Sequence, residues 1–298
     1  MYEQLISQIS QGDQKALARG ISFIENEQQG YEKILQSLKV NAANVIGLTG
    51  PPGAGKSTIV DAMIGEMVKE NKTVAVLCVD PSSPFNLGAL LGDRIRMSEW
   101  YSHPKVFIRS LASRGSVGGL APKIIEITDL IKSSGVDYII IETVGVGQSE
   151  IEIAGLADVT IVVLTPLSGD EVQTMKSDLM EIADVFAINK ADRPDAELLE
   201  KNLRMMLAPI PGRNTVVPPV IKTIATEKKG IDKLIEAVYN SFNVEGNNDK
   251  RLTLLTEKAW QLLTAKRMKD LDKWEIRNRI KANYRTPGFN LFSFINEI

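Results

Sequence analysis

Gly50-Pro-Pro-Gly-Ala-Gly-Lys-Ser57 is the stretch whose residue types and spacing speak most directly of chemistry. Glycines at this density let a backbone curl around a phosphate with its N–H groups pointing inward, where side chains would collide. Lys56 would reach the β- and γ-phosphates of a nucleotide, as a binding and catalytic cation, and the Ser57 hydroxyl would ligate Mg²⁺. Gly53, Ala54, Gly55, Lys56, Ser57 and Thr58 are therefore the expected phosphate-contacting set. A glycine-rich turn before a surface helix is the plainer alternative. The flanks argue against it: apolar Val45–Leu48 precedes the loop and helix-patterned Thr58–Met67 follows it, so the positive end of a helix would face the phosphates.

Asn189-Lys-Ala-Asp192 follows another apolar run, Val185–Ile188. The Asp192 carboxylate can accept from guanine N1–H and from the exocyclic amine, donors that adenine lacks. Leaving such an acceptor unpaired discriminates by roughly 10⁴-fold. Asn189 would brace the phosphate loop and the base, the Lys190 stem would cover the ring face, and a backbone N–H at Ala225 could meet guanine O6. The expected ligand is thus GTP or GDP.

Further acids and loops end other apolar runs. Glu142-Thr-Val-Gly145 follows Tyr138–Ile141: the carboxylate can hold Mg²⁺ directly or through water, and the Gly145 N–H can sense a γ-phosphate. Small regulatory GTPases carry a water-orienting Gln directly after this glycine. Here Val146 stands there and Gln148 lies further on, so either Gln148 is repositioned or another residue orients the water. Asp80 and Asp93 could both reach the cation; a turn or helix-cap role for Asp80 and a solvated charge for Asp93 are the plainer readings. Arg109–Ala121 reads as a glycine-rich loop after the short strand Val106–Ile108. It could carry a phosphate-facing arginine, Arg109 or Arg114, or a partner surface, or be a turn that opens the next helix. Ser168–Lys176, with Asp170 and Glu171, reads as a mobile switch or an exposed helix start.

These motifs need a scaffold that brings strand ends together. Apolar runs at Val45–Leu48, Thr73–Val79, Val106–Ile108, Tyr138–Ile141, Thr160–Leu164, Val185–Ile188 and Val220–Ile224 alternate with helical patterns. They are mostly continuous, as in a parallel sheet covered on both faces. The fold class expected is a doubly wound α/β domain with its ligand at the carboxyl ends of the strands. Residues 1–42 read as an N-terminal helical arm, 43–243 as the nucleotide-binding domain, and 250–298 as a C-terminal helical extension with an apolar tail, Phe289–Ile295, that should dock.

The chain has 298 residues with 44% hydrophobic and 24% charged, and its net charge of -2 supplies no drive towards nucleic acid or anionic membrane. One cysteine, Cys78, excludes a disulfide within the chain, and with one histidine there is no Cys/His metal site to argue for. The N-terminus lacks an apolar signal core and no apolar run is long enough to span a bilayer, so a cytoplasmic protein is expected; a matrix protein with its transit peptide removed would read the same.

Taken with Asp80-Pro-Ser-Ser83, Gly92-Asp-Arg94, Arg109-Ser-Leu-Ala112, Arg114-Gly115, Gly118-Gly-Leu-Ala121, Glu142-Thr-Val-Gly-Val-Gly-Gln148 and Gly169-Asp-Glu171, the chain resembles the methylmalonyl-CoA mutase-associated GTPases of the MeaB/ArgK type. The resemblance runs from about Ala16 to Ile231. It implies a P-loop GTPase, Mg²⁺ held by Ser57, Asp80, Asp93 and Glu142, and an additional switch ending at Lys176. It also implies an adenosylcobalamin-dependent methylmalonyl-CoA mutase as partner, with GTP gating the loading and rescue of the mutase cofactor. Relatives dimerise through the C-terminal arm, so a homodimer is expected. A nickel-insertion GTPase and a P-loop kinase are the competing readings. The scarcity of His and Cys speaks against the first and Asn189–Asp192 against the second.

Overall fold

The computed structural model describes residues 2–80, 97–112, 120–143, 149–166, 177–208, 217–242, 248–268, 271–286 and 289–295. Seven strands form its sheet: β1 (Asn44–Thr49), β2 (Val74–Asp80), β3 (Val106–Ala112), β4 (Tyr138–Glu142), β5 (Val159–Leu164), β6 (Val185–Ile188) and β7 (Val220–Lys222). Their spatial order is β3-β2-β4-β1-β5-β6-β7, and every adjacent pair is parallel. The order reverses direction at β1, and such a switch point is where doubly wound sheets open a ligand crevice. The continuous apolar runs are explained by burial on both faces: all of Val159–Leu164 and all of Val185–Ile188 are buried.

Helices α1 (Tyr2–Ser10), α2 (Gln14–Glu25) and α3 (Tyr31–Gln36) come first, followed by α4 (Lys56–Lys69) directly behind the phosphate loop. Then come α5 (Ile124–Lys132), α6 (Ser149–Leu156), α7 (Ser177–Ile182), α8 (Ala196–Met206) and α9 (Ile231–Ser241). Ile59, Val60, Met63, Ile64 and Met67 of α4 share one core with Leu234, Ile235 and Val238 of α9 and with β1, β2 and β5. Ala154 of α6, Leu179 of α7, and Leu199 and Leu203 of α8 pack against β5 and β6 in another. The first three helices are an arm laid on the sheet domain: α2 and α3 pack on α5. Gly20 permits the close approach, because a Cβ there would stand 3.0 Å from both Ile9 Cδ1 and Leu130 Cδ2. Asp13 caps α2, accepting from Lys15 N at 2.8 Å and Ala16 N at 2.9 Å.

At the amino edge of the sheet, three aspartates each stand one residue ahead of a strand and accept an N–H from the start of a neighbouring strand or the residue just before it. Asp137, before β4, accepts from Thr73 N at 2.7 Å; Asp158, before β5, from Val45 N at 2.7 Å; Asp184, before β6, from Thr160 N at 2.7 Å. Asp137 also accepts from Thr73 Oγ1 at 2.7 Å. Burial alone would raise the Asp137 carboxyl, but these two bonds, with Lys72 and Lys105 nearby, hold it below its usual range.

Two boundaries differ from the apolar pattern. β3 continues through Arg109, Ser110, Leu111 and Ala112, so the first four residues expected in a loop are strand. Its polar residues interrupt the run because β3 is the sheet edge and the N-terminal helices cover Arg109. β7 stops at Lys222, and Ile224 forms an isolated bridge with Lys229.

Met1–Arg251 is one compact unit and Leu252–Ile298 a second, with α10 (Asn248–Arg267) leading into the latter. The second unit also holds α11 (Lys273–Asn283) and α12 (Leu291–Ile295). Of the apolar tail, Phe294 is buried, with the Phe289 ring 6.0 Å away and the Arg279 guanidinium 5.5 Å over its face. Phe292, Trp260 and Trp274 remain exposed at 78%, 69% and 65%. Among the described residues no helix is long and apolar enough to cross a membrane.

Candidate nucleotide site

The phosphate loop leaves β1 and enters α4, and its geometry depends on glycine at two points. Gly50 has φ 138°, and a Cβ there would lie 2.1 Å from Val163 O. Gly55 has φ 88°, and a Cβ there would lie 2.4 Å from Asn189 Nδ2. Gly55 is the left-handed N-cap of α4 and offers no side-chain cap; the first turn carries no acid. The N–H groups of that turn thus meet no competing carboxylate from it, the condition under which a helix start receives an anion. Lys56 is buried and its Nζ donates to Gly50 O at 2.9 Å and Pro51 O at 3.1 Å. Its ammonium therefore lies over the loop, where a phosphate would be a stronger acceptor than two carbonyls. Gly53 is exposed, Ala54 is buried and Thr58 is half-buried in the first turn.

Ser57 and Glu142 meet. The Ser57 hydroxyl donates to Glu142 Oε1 at 2.7 Å, and both residues are buried at 6% exposure. β4 brings Glu142 there because it pairs with β1, Glu142 lying opposite Leu48. An oxygen-only pair at the start of the P-loop helix fits a hard cation such as Mg²⁺. Asp80 is the last residue of β2, whose Cys78 lies opposite Glu142, so the backbone ends two residues past that level. Asp93, Arg114, Gly145, Gln148, Asp170, Glu171 and Lys176 lie outside the described residues.

Asn189 is the hub of the base side. Almost fully buried, it donates from Nδ2 to Ala54 O at 2.9 Å and accepts at Oδ1 from Ala225 N at 3.2 Å and Thr223 Oγ1 at 3.3 Å. One side chain thereby joins the phosphate loop to the ends of β6 and β7. Lys190, at φ 55°, donates from Nζ to Gly53 O at 2.8 Å, crossing the space between the loop and the Asn189–Asp192 turn. Asp192 is exposed on that turn, which Ala191 N anchors to Thr223 O at 3.1 Å. Ala225 is buried with its N–H engaged by Asn189. Thr223 escaped the motif reading. Its only trace was a hydroxyl at the end of an apolar run, and its role depends on β7 lying beside β6.

Arg109 stands elsewhere. Its Nη2 donates to Glu25 Oε2 at 3.0 Å and Ser22 Oγ at 3.1 Å, both on α2.

A parallel sheet with a phosphate loop after its first strand, a Ser–Glu pair at the start of the loop helix, and an Asn-Lys-x-Asp turn braced to that loop defines the P-loop GTPases. Residues 17–279 match the family model described as methylmalonyl Co-A mutase-associated GTPase MeaB, and the chain belongs to that family. A Pyrococcus abyssi protein whose name places it among GTPases is 46% identical over 243 residues, covering 80% of this chain and 75% of that one. The Caenorhabditis elegans protein named methylmalonic aciduria type A homolog, mitochondrial, is 28% identical over 322 residues, covering 96% and 80%. The crystal structure titled LAO/AO transport system kinase superposes with a TM-score of 0.69 at 25% identity, covering 96% of this chain and 93% of that one. The protein is a GTPase that binds guanine nucleotide.

Proposed function

We propose that this GTPase serves an adenosylcobalamin-dependent acyl-CoA mutase of the methylmalonyl-CoA type in the cytoplasm, with GTP gating the loading and rescue of the mutase cofactor. The observation that carries the reading is the family match over 17–279, whose description names the mutase. The name of the C. elegans relative points to the same metabolic step.

In this reading each part of the site has its own task. Gly53–Thr58 bind the phosphates, Lys56 neutralises their charge, and Asp192 selects guanine with Asn189, Lys190 and Ala225 closing the base side. Ser57 and Glu142, with Asp80 and Asp93, would hold Mg²⁺, which when bound would neutralise charge on the β- and γ-phosphate oxygens. Gly145 would sense the γ-phosphate and Gln148 would orient water. Without a glutamine next to Gly145, unaided hydrolysis is slow and rises when a partner orders the site. The stretch ending at Lys176, with Asp170 and Glu171, would carry the nucleotide state to the mutase, and the exposed aromatic residues of the second unit would pair two copies into a homodimer.

Coupling in binding is reciprocal: if GTP changes affinity for the mutase, the mutase changes affinity for GTP by the same free energy. The test is GTP turnover by the wild type and Lys176→Ala with and without the purified mutase. Acceleration of the wild type, weakened in the variant while its unaided rate holds, supports the reading. A mutase that neither binds nor alters turnover of the wild type refutes it.

A further inference from the structure

The N-terminal arm meets the sheet domain at a point the GTPase reading does not use. Arg109 and Glu25 are paired with their side chains only 24% and 16% exposed, and Ser22 Oγ takes a second bond from the same guanidinium nitrogen. Two residues beyond Glu25, the chain turns through Glu27 at φ 47°. Glu27 Oε1 lies 2.8 Å from Lys123 Nζ, which also donates to Tyr31 Oη at 3.5 Å and sits 4.9 Å from the centre of the Tyr31 ring. Burial would lower the Lys123 ammonium, yet Glu27 and Glu126 hold it above its usual value. Glu25, Glu27, Ala112, Pro122, Lys123 and Ile127 line one cavity of about 330 Å³ between these elements.

Arg109 belongs to β3 and Lys123 immediately precedes α5. The last turn of α2, through Glu25, and the turn that follows it, through Glu27, therefore hold the chain on both sides of the connection from β3 to α5. β3 is an edge strand paired with β2, where Arg109 lies opposite Leu77, three residues before Asp80. A side chain tied to α2 points to the face that α5 covers, because α2 packs on α5. Successive strand residues point to opposite faces, so the nucleotide-binding helix α4, on the far face, is not what Arg109 addresses.

We propose that Arg109 is a positioning residue, fixed by Glu25 and Ser22, through which the N-terminal arm sets the carboxyl half of β3 and, beside it, the end of β2 for GTP hydrolysis. An isolated surface pair would contribute almost nothing. This one is mostly shielded, shares its cation with a hydroxyl, and has a second pair, Glu27–Lys123, two residues further on and on the other flank. The inference rests on the GTPase activity and is independent of the mutase.

The experiment is a double-mutant cycle on GTP turnover without partner, with Glu25→Gln, Arg109→Gln and the double variant, and with GDP affinity and melting temperature recorded for each. Removing an interaction that acts through a strand should lower kcat on the order of 10-fold. KM for GTP and GDP affinity should stay within about 2-fold, since the phosphate loop and base turn are untouched. Arg109→Gln and the double variant should fall to the same level as Glu25→Gln. A silent Glu25→Gln, a loss of melting temperature alone, or losses that multiply in the double variant would each overturn the proposal. The last outcome would mean that Arg109 and Glu25 act independently of each other.

Discussion

Replacing Asn189 by Ala should dismantle the site from its centre. The amide makes three hydrogen bonds, to Ala54 O, Ala225 N and Thr223 Oγ1, and is 3% exposed, so water cannot replace it without opening the fold. Each buried bond contributes about 1 kcal/mol net, and a donor or acceptor left buried costs about 1–3 kcal/mol. Thr223 Oγ1 can rotate to another acceptor, whereas Ala54 O and Ala225 N are backbone groups that cannot. The expected loss is therefore about 2–4 kcal/mol, which for a unit of this size lowers the melting temperature by roughly 5–15 °C. Asn189→Asp should cost more, because it sets a carboxylate oxygen against Ala54 O where an N–H stood. Calorimetry of the nucleotide-free protein reads both effects, and GDP titration of the surviving fold should show weakened binding, since the loop and the base turn are no longer registered to each other. An Asn189→Ala protein that melts within about 2 °C of wild type and binds GDP unchanged would refute the reasoning.

Three further outcomes are expected. Asp192→Asn should lose guanine nucleotides and gain xanthine nucleotides, because the new amide donates where xanthine presents a carbonyl; competition binding with GDP and XDP reads it, and an unchanged preference for GDP refutes it. Asp137→Ala should lose under about 1 kcal/mol at neutral pH, the group being exposed. Because the folded carboxyl lies below its usual value, that stabilisation is present above the ordinary aspartate range and disappears as pH falls through the folded value. Urea melts should thus separate wild type and variant at pH 7 and bring them together in strong acid; a constant gap refutes the assignment. Deleting residues from 252 onward should leave a monomer that still binds GDP, read by light scattering; a truncation that remains dimeric moves the interface elsewhere.

The inner strands were legible because burial on both faces writes them as nearly continuous apolar runs, and the phosphate loop because Gly50 and Gly55 leave no room for a side chain. The second half of β3 was not. An edge strand can carry Arg109 if a helix from another part of the chain supplies Glu25, and nothing local announces a partner 84 positions away. The same limit hid Thr223, whose bond to Asn189 spans 34 positions. Asn189 itself was readable as a brace, although its second anchor became visible only once β7 lay beside β6. The aspartates ahead of β4, β5 and β6 look in sequence like ordinary turn residues, and the partners of their bonds lie 64, 113 and 24 positions away.

Those three aspartates give the sheet a zero mark. Each ties the start of one strand to the chain beside it in the register the ladder keeps, and in a parallel sheet that register runs along the whole ladder. Glu142 is five residues beyond Asp137, about 16 Å along the strand. Were β4 to pair one residue out of step, Glu142 would move about 3.3 Å and its carboxylate would turn to the opposite face, away from Ser57. The meeting of Glu142 with Ser57 at one edge is thus supported by a bond at the other.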